Sequence, residues 1–333
     1  MSMSTIPNHP IRAGLAGAAV VLALGAAGPA RAQTQIQVDP TLKPYVKVEG
    51  VAGNLNSVGS DTLNNLMTFW AEAFRRSYPN VNIGIEGKGS GTAPPALFAG
   101  TAQLGPMSRA MKKSEITEFE GTYGYKPTQI TVSLDSLAVF VNKDNPLKSL
   151  NLAQVDAIFS KTCKRGQASI ATWGAAGVTD ADWASHPVSL YGRNSASGTY
   201  GFFKEHVLDK GDFKDTVKEQ PGSSSVVMGI TEDKNGIGYS GIGYTTSGVR
   251  ALPLAGSDGV VYEPSYDNVK TGKYPVWRPL YVYLARKPGK PMDLLTREFL
   301  KFVLSKEGQE IVIKDGFYPL TAEQAAKQLS LLD

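Results

Sequence analysis

Residues 132–141 read VSLDSLAVFV, a continuous run of β-prone residues. A run of this kind is typical of a strand that is buried on both faces. A second run, IGYSGIGY at 237–244, has a similar character, with glycines between its apolar residues. We interpret the two runs as places where the chain passes from one lobe into another and returns, near 134–141 and 238–252.

Short apolar strands alternate with amphipathic helices on either side of these runs, which is the pattern of an α/β protein. Apolar residues recur at helical spacing from Leu63 to Phe74, for example. About 300 residues follow the N-terminal leader, more than a single core normally holds, so two lobes are expected. We predict that residues 33–133 and 252–333 form lobe 1 and residues 134–251 form lobe 2, with a ligand cleft between them.

The N-terminal leader has the features of a cleaved secretory signal peptide over residues 1–32. A positive Arg12 precedes an apolar stretch at 13–27, and Ala30-Arg31-Ala32 matches an A-x-A cleavage site. The apolar stretch is short for a membrane span. The sequence therefore predicts an exported protein, periplasmic or secreted, whose mature chain begins near Gln33.

Cysteine content and charge exclude several further classes. Cys163 is the only cysteine, so no cysteine follows the signal peptide to carry a lipid anchor, and no disulfide can form within the chain. The formal net charge is only +4, and no basic run with interleaved aromatic residues is present. Nucleic acid is therefore not an expected partner.

Three segments rich in Ser, Thr, Gly or Asp stand where a helix is expected to begin. The N–H groups at a helix start attract an anion, glycine allows close approach, and hydroxyls add donors. Arg193 lies four residues before one of these hydroxyls and can bind two oxygens of a tetrahedral anion; Ser108-Arg109 offers a similar contact. Each segment taken alone could also be an ordinary helix cap. The segments are GSDT at 59–62, GSGT at 89–92 and SASGT at 195–199.

An ordered set of motifs resembles the phosphate-binding proteins of high-affinity phosphate ABC importers. The resemblance covers nearly the whole mature chain. Its most specific elements are the R-x-x-x-S-G-T motif that starts at Arg193 and the C-terminal segment at 302–320. The motifs are VGSDT (58–62), GKGSGTA (87–93), GPMSR (105–109), DSLAVFVNKDNP (135–146), GRNSASGTYGFF (192–203), IGYSGIGY (237–244) and FVLSKEGQEIVIKDGFYPL (302–320).

This resemblance implies a type II periplasmic binding fold, in which two α/β lobes close over a dehydrated phosphate ion. It also implies a binding protein that is not an enzyme, needs no cofactor or metal, and delivers inorganic phosphate to the membrane permease of an ABC importer. We expect a monomer. The ligand-binding residues implied by motif position are Asp61, Thr62, Ser90 and Ser108 in the first lobe and Arg193, Ser197, Gly198 and Thr199 in the second, with Arg109 as an additional candidate.

Two positions depart from the family pattern. Family members often carry an aspartate where this chain has Ser108, and another two residues after the arginine, where it has Ser195. The first of these acids accepts the proton of phosphate and so rejects sulfate. Asp61 can take over as proton acceptor, since a carboxylate beside a dianion is tolerated when a proton is shared. If Asp61 only caps its own helix, the source of selectivity stays open.

The alternatives are another oxyanion and another class of protein. Sulfate or molybdate would keep the fold and change only the ligand. An exported hydrolase lacks support, because no G-x-S-x-G motif surrounds Ser90, Ser108 or Ser197. His186 and His206 have no ligand at metal spacing. The G-x-G-x-x-G match at 236–241 lacks the helix that a nucleotide site needs.

Overall fold

The structure, a computed structural model, describes residues 1–3 and 36–332. The predicted signal peptide therefore lies, apart from its first three residues, outside the described part. From Ile36 onward the chain forms one unit. In the described residues, no helix combines the length and the apolar character needed to span a bilayer.

The strands are mostly short, apart from one that is 15 residues long. In chain order they are β1 (Gly53–Val58), β2 (Val81–Glu86), β3 (Gly105–Met107), β4 (Thr128–Asn142), β5 (Leu150–Asn151), β6 (Ser189–Arg193), β7 (Lys218–Gln220), β8 (Gly236–Gly241), β9 (Val249–Ala251), β10 (Leu254–Ala255), β11 (Val261–Tyr262) and β12 (Trp277–Leu284).

The helices alternate with these strands, as expected for an α/β protein. They are α1 (Asn64–Ser77), α2 (Ala93–Phe98), α3 (Lys113–Tyr123), α4 (Leu152–Phe159), α5 (Ala181–Ala184), α6 (Gly198–His206), α7 (Ser223–Glu232), α8 (Tyr266–Lys270), α9 (Leu294–Val303), α10 (Lys306–Lys314) and α11 (Ala322–Leu329). Single 3₁₀ turns lie at Asp61–Leu63, Ser90–Thr92 and Ile242–Tyr244.

The long strand β4 contains the run VSLDSLAVFV, and every residue of that run is buried, as the sequence predicts. β4 pairs antiparallel with β12 along Thr128–Ser136 and then with β8 along Leu137–Val141. It changes partner between Ser136 and Leu137, because β12 and β8 each cover only part of its length. We call the strands on the two sides of this change the β12 half and the β8 half of the sheet.

The strand order of this sheet is β3-β12-β4-β8-β6-β7, with β9 also pairing with β4. The pairs of β8 with β6 and of β6 with β7 are parallel. β1 and β2 form a separate parallel pair, which an isolated bridge from Ser57 to Leu104 links to the region just before β3. The carboxyl ends of β1, β2 and β6 lead into the three polar segments, and the end of β3 leads into Ser108-Arg109.

Apolar faces fix the helices that carry these segments. Leu66, Trp70 and Phe74 of α1 are fully buried, as their helical spacing predicts, and the Trp70 indole donates to the Gly308 carbonyl. In α6 the Phe203 ring stacks on Tyr239 of β8, with ring centroids 4.0 Å apart. This packing fixes the first turn of α6 against the sheet.

The lobe boundaries proposed from the sequence stay a prediction. β4 does extend through both halves of the sheet, and the second run at 237–244 supplies β8 and the following 3₁₀ turn. The chain then runs through β9 and on to β12, which returns it to the β12 half.

Candidate functional site

Three buried serines form a chain of hydroxyl groups. Ser60 Oγ donates to Ser108 Oγ over 3.0 Å, and Ser90 Oγ lies 3.2 Å from the same atom. The Ser108 backbone N–H also donates to Ser90 Oγ, over 3.0 Å. Ser60 was not among the predicted site residues, although it belongs to the GSDT segment. The structure thus brings two of the three polar segments together around Ser108.

The third polar segment contacts the other two. Thr199 Oγ1 of α6 lies 3.0 Å from Thr62 Oγ1, and both threonines are buried. A Cβ atom placed on Gly198 would lie 2.2 Å from Ser90 Oγ and 2.6 Å from Ser108 Oγ. Because no side chain fits there, the first turn of α6 approaches the serines more closely than any other residue would allow.

The backbones of two segments also touch. The Gly91 N–H donates to the Ala196 carbonyl over 2.9 Å. Gly89 has a φ of 120°, and a Cβ there would lie 2.6 Å from the same carbonyl oxygen. Glycine at this position is therefore required both by its backbone conformation and by the close approach.

Ser197 supplies the cap of α6. Its side-chain oxygen accepts from the Thr199 N–H at 3.1 Å and from the Tyr200 N–H at 3.3 Å. The hydroxyl proton of Ser197 stays available, since only its acceptor capacity is used. The helix start keeps its partial positive charge beside the serines and threonines.

Arg193 is the buried cation of the β8 half, with 1% of its side chain exposed. Its Nη1 donates to Ser223 Oγ at 2.7 Å and lies 2.9 Å from Asp61 Oδ2, and its Nη2 donates to the Pro221 carbonyl at 3.1 Å. The buried Nε–H has no hydrogen-bond partner in the described protein. Two of the five guanidinium N–H groups, Nε–H and one on Nη2, thus have no acceptor among the described residues.

Asp61 caps a helix, but not its own. Its Oδ2 accepts from both the backbone N–H and the hydroxyl of Ser223, each at 2.8 Å, and Ser223 is the first residue of α7. The 3₁₀ turn that begins at Asp61 receives no side-chain cap. Tyr244 donates its hydroxyl to the Asp61 carbonyl at 2.8 Å, and burial raises the pKa of Tyr244, so it remains a donor at neutral pH. Sequence reasoning missed Ser223, because its segment resembles an ordinary helix start.

A second buried arginine was also missed. Arg278 of β12 donates Nε and Nη2 to Asp135 Oδ2, at 2.9 Å and 2.7 Å. The same guanidinium donates to the Ser108 carbonyl and to Thr199 Oγ1. Burial raises the pKa of Asp135 and lowers that of Arg278, and the attraction within the pair opposes both shifts. The available signal was a charged residue inside each of two apolar strands, since a buried charge needs a partner.

Arg109 lies beside the cluster, but its guanidinium faces Glu115. Its two terminal nitrogens donate to the two Glu115 oxygens at 2.8 Å and 2.7 Å. Burial would raise the pKa of Glu115, but hydrogen bonds from Arg109 and the Lys112 N–H outweigh it and lower that pKa. The Arg109 stem reaches α6, where its Cδ would lie 3.4 Å from a Cβ on Gly201. Its assignment as a ligand-binding residue stays a prediction.

The residues described above form one cluster that is rich in donors, made up of Ser60, Ser90, Ser108, Thr62, Thr199, Arg193 and Arg278 with the carboxylates of Asp61 and Asp135. Among residues 1–3 and 36–332, no group of three or more His, Cys, Asp or Glu side chains is arranged to hold a metal ion. The two carboxylates of the cluster, Asp61 and Asp135, each face an arginine. Hydroxyls, a helix start and an arginine with a spare N–H are groups that bind an anion.

Comparison with known proteins assigns the chain to a family. The PBP superfamily domain matches residues 27–307. The phosphate-binding protein PstS of Pseudomonas aeruginosa is 56% identical over 311 residues, which cover 92% of this chain and 96% of that protein. The chain belongs to the PstS family of the PBP superfamily. A PstS protein of Staphylococcus epidermidis is 28% identical over 261 residues, covering 77% of this chain and 76% of that relative.

Solved structures of the family share the fold. A substrate-binding protein from Clostridium perfringens, solved with bound phosphate, superposes with a TM-score of 0.67 at 26% identity, covering 81% of this chain and 100% of that one. An ABC-type phosphate transport receptor from Vibrio cholerae gives 0.61 at 21% identity, covering 80% and 100%. These matches confirm the predicted α/β periplasmic binding fold. The relatives bear the names of binding proteins, which agrees with the prediction that the chain is not an enzyme.

Proposed function

We propose that this chain binds inorganic phosphate at the buried hydroxyl and arginine cluster and delivers it to the membrane permease of an ABC importer. The observation that carries the proposal is the unpartnered Nε–H of Arg193, which is buried next to Asp61 and Ser223. An unsatisfied guanidinium donor is costly in a protein interior, so a ligand oxygen is its natural partner. The names of the family's relatives support phosphate as that ligand.

The remaining donors suit a small tetrahedral anion. The hydroxyls of Thr62, Ser90, Ser108 and Thr199 converge on the first turn of α6, which begins at Gly198. Such a site binds a dianion through many short hydrogen bonds rather than through bulk positive charge. Because the cluster is almost fully buried, the anion has to enter without its water shell.

Asp61 favours phosphate over sulfate. Its Oδ2 carries all of its side-chain hydrogen bonds, whereas Oδ1 accepts none from the described protein. A free carboxylate oxygen beside the Arg193 guanidinium can accept the P–OH proton of monohydrogen phosphate. Sulfate has no proton to donate at neutral pH and would meet only repulsion there.

Calorimetric titration of the mature protein tests the ligand. Bound anion is first removed by unfolding and dialysis, and the refolded protein is titrated with phosphate, sulfate and molybdate. We expect one phosphate to bind per chain, at least about a hundredfold more tightly than sulfate. If sulfate or molybdate bound as tightly as phosphate or more tightly, that anion would replace phosphate as the proposed ligand.

The same proposal includes export, a monomeric state and closure of two lobes. We propose cleavage near Gln33, with lobes formed by 33–133 plus 252–333 and by 134–251. N-terminal mass analysis of the exported protein tests the cleavage site, and light scattering tests the monomer. Small-angle scattering with and without phosphate tests closure, and unchanged dimensions despite measured binding would contradict it.

A further inference from the structure

Arg278 lies where the two halves of the sheet meet. It stands directly opposite Asp135 in the register of β12 and β4. Asp135 is one residue before Ser136, the last β4 residue paired with β12. Both side chains are buried, with 1% and 0% exposed. The ion pair therefore lies at the partner change of β4.

Arg278 also contacts two predicted site residues, one just after β3 and one in α6. Its Nη1 donates to the Ser108 carbonyl at 2.9 Å, and its Nη2 donates to Thr199 Oγ1 at 3.1 Å. A hydroxyl group has one proton to donate and two lone pairs that accept. When a guanidinium N–H occupies one lone pair of Thr199 Oγ1, the threonine proton has to point away from Arg278. Thr62 Oγ1, 3.0 Å from Thr199 Oγ1, lies on this remaining side of the hydroxyl.

Asp135 holds this guanidinium in one orientation. Its Oδ2 accepts from Nε and Nη2 of Arg278, and its Oδ1 accepts from the Ile242 N–H at 3.1 Å. The Phe202 ring lies 5.5 Å from the guanidinium carbon and covers it from α6. Four of the five guanidinium N–H groups are thus used by Asp135, Ser108 and Thr199. The arginine is fixed before any ligand arrives.

Stability alone is a weak explanation of such a pair. Removing two charges from water is costly, and apolar residues of the same size often stabilise a core equally well. The burial of β4 does not require the charge, since the strand carries Val132 and Leu134 before Asp135 and an apolar run from Leu137 to Val141 after it. The pair is better explained by what the guanidinium reaches, namely Ser108 and Thr199.

We infer that Arg278 is a positioning residue of the oxyanion site, which orients the Thr199 hydroxyl as a donor to the bound anion and holds Ser108 in place. This inference rests on the proposed function. Asp135 serves as the fixed counter-ion that keeps the guanidinium in this position. The positive charge of Arg278 also makes the Thr199 hydroxyl a stronger donor, because its oxygen accepts a charged hydrogen bond.

A double-mutant cycle tests the inference by phosphate calorimetry. Arg278→Lys keeps a positive charge but loses the planar fork, and Thr199→Val removes the hydroxyl at constant shape. We expect Arg278→Lys to weaken phosphate binding at least about tenfold in the wild-type background. In the Thr199→Val background the same change should weaken it less than about threefold. Effects that simply add would overturn the inference, because they would show that Arg278 does not act through Thr199.

Arg250→Lys is the matched control. Arg250 is half-buried, and its side-chain hydrogen bonds within the described part of the chain go to the backbone carbonyls of Asn145 and Leu147, outside the cluster. We expect its replacement to leave the phosphate dissociation constant within about twofold of the wild type. An equal loss in both arginine variants would overturn the inference, since it would indicate a general effect of removing a buried guanidinium.

A second variant keeps the test decisive if Arg278→Lys does not fold. The combination Arg278→Met with Asp135→Asn removes both charges together, and Asn keeps an acceptor for the Ile242 N–H. We expect a folded protein with phosphate affinity lowered at least about tenfold. If this variant bound phosphate with wild-type affinity, the inference would be overturned but the proposed function would stand. A wild-type protein that bound no phosphate would overturn the proposed function and the inference with it.

Discussion

The Asp61 carboxylate lies 2.9 Å from the guanidinium of Arg193, although the two residues belong to different predicted lobes. The family pattern implies an acid two residues after this arginine, where the chain has Ser195. Asp61 therefore places a carboxylate beside Arg193, which Ser195 cannot supply. Because it also accepts two hydrogen bonds from Ser223, it joins the GSDT segment to the start of α7. The same carboxylate thus contacts both the buried arginine and the first residue of α7.

Asp61→Asn should lower the ratio of phosphate to sulfate affinity. The amide keeps an acceptor for the Ser223 donors but has no charge with which to accept the P–OH proton or to repel sulfate. We expect the ratio to fall by at least about tenfold, measured by competition titration. The free energy of unfolding should also fall, by about 1–3 kcal/mol, because a hydrogen-bonded charge partner of buried Arg193 is lost. An unchanged ratio would leave Asp61 as a structural partner only.

Arg193→Ala should weaken phosphate binding severely. The change removes the Nε–H and the positive charge of a side chain that is only 1% exposed, a loss of about 2–5 kcal/mol in binding free energy. Arg193→Lys should restore only part of it, since an ammonium group cannot reproduce the fork. Arg109→Ala should cost less than Arg193→Ala, because Glu115 already binds the Arg109 guanidinium. If Arg109→Ala weakened phosphate binding more than Arg193→Ala, the proposed place of Arg193 in the second-lobe site would be wrong.

Local patterns made part of this structure predictable from the sequence. The apolar stripe of α1 and the buried run in β4 depend on residues close together in the chain, so periodicity rules apply. The same holds for the Ser197 cap of α6. Each of these features is decided within one or two turns or one strand.

The missed contacts depend on strand register and on distant chain segments. Arg278 and Asp135 are 143 residues apart, and they meet only because β12 and β4 pair in one register. Asp61 and Ser223 are 162 residues apart, and both resemble helix caps when taken singly. Spacing rules contain no information on which distant cap faces which carboxylate. The residue types indicated an anion site, but which residues contact each other is decided by the three-dimensional fold.

Asp315 should make stability depend on pH. Burial raises the pKa of this carboxyl to about 7, and its buried Oδ2 has no hydrogen-bond partner among residues 1–3 and 36–332. The folded protein then holds this proton more tightly than the unfolded chain, so the contribution of Asp315 to stability is fully present below its unfolded pKa and is lost as the pH rises towards 7. Relative to Asp315→Asn, the wild type should lose roughly 1–3 kcal/mol between pH 4 and pH 8, allowing for partial exposure. Parallel denaturant titrations of both proteins measure the difference, and a constant difference across this range would contradict the raised pKa.

Gly198→Ala tests whether the close contact between α6 and the serines forms the site. The added Cβ would lie 2.2 Å from Ser90 Oγ, so α6 or the Ser90 turn has to move. We expect phosphate affinity to fall at least about tenfold and the free energy of unfolding to fall by about 1–3 kcal/mol. Gly201→Ala is the control on the same helix, because its Cβ would lie 3.4 Å from the flexible Arg109 stem. That variant should bind phosphate normally and gain about 0.5–1 kcal/mol of stability, since alanine favours a helix interior. If both variants bound phosphate like the wild type, the anion would have to bind away from the first turn of α6.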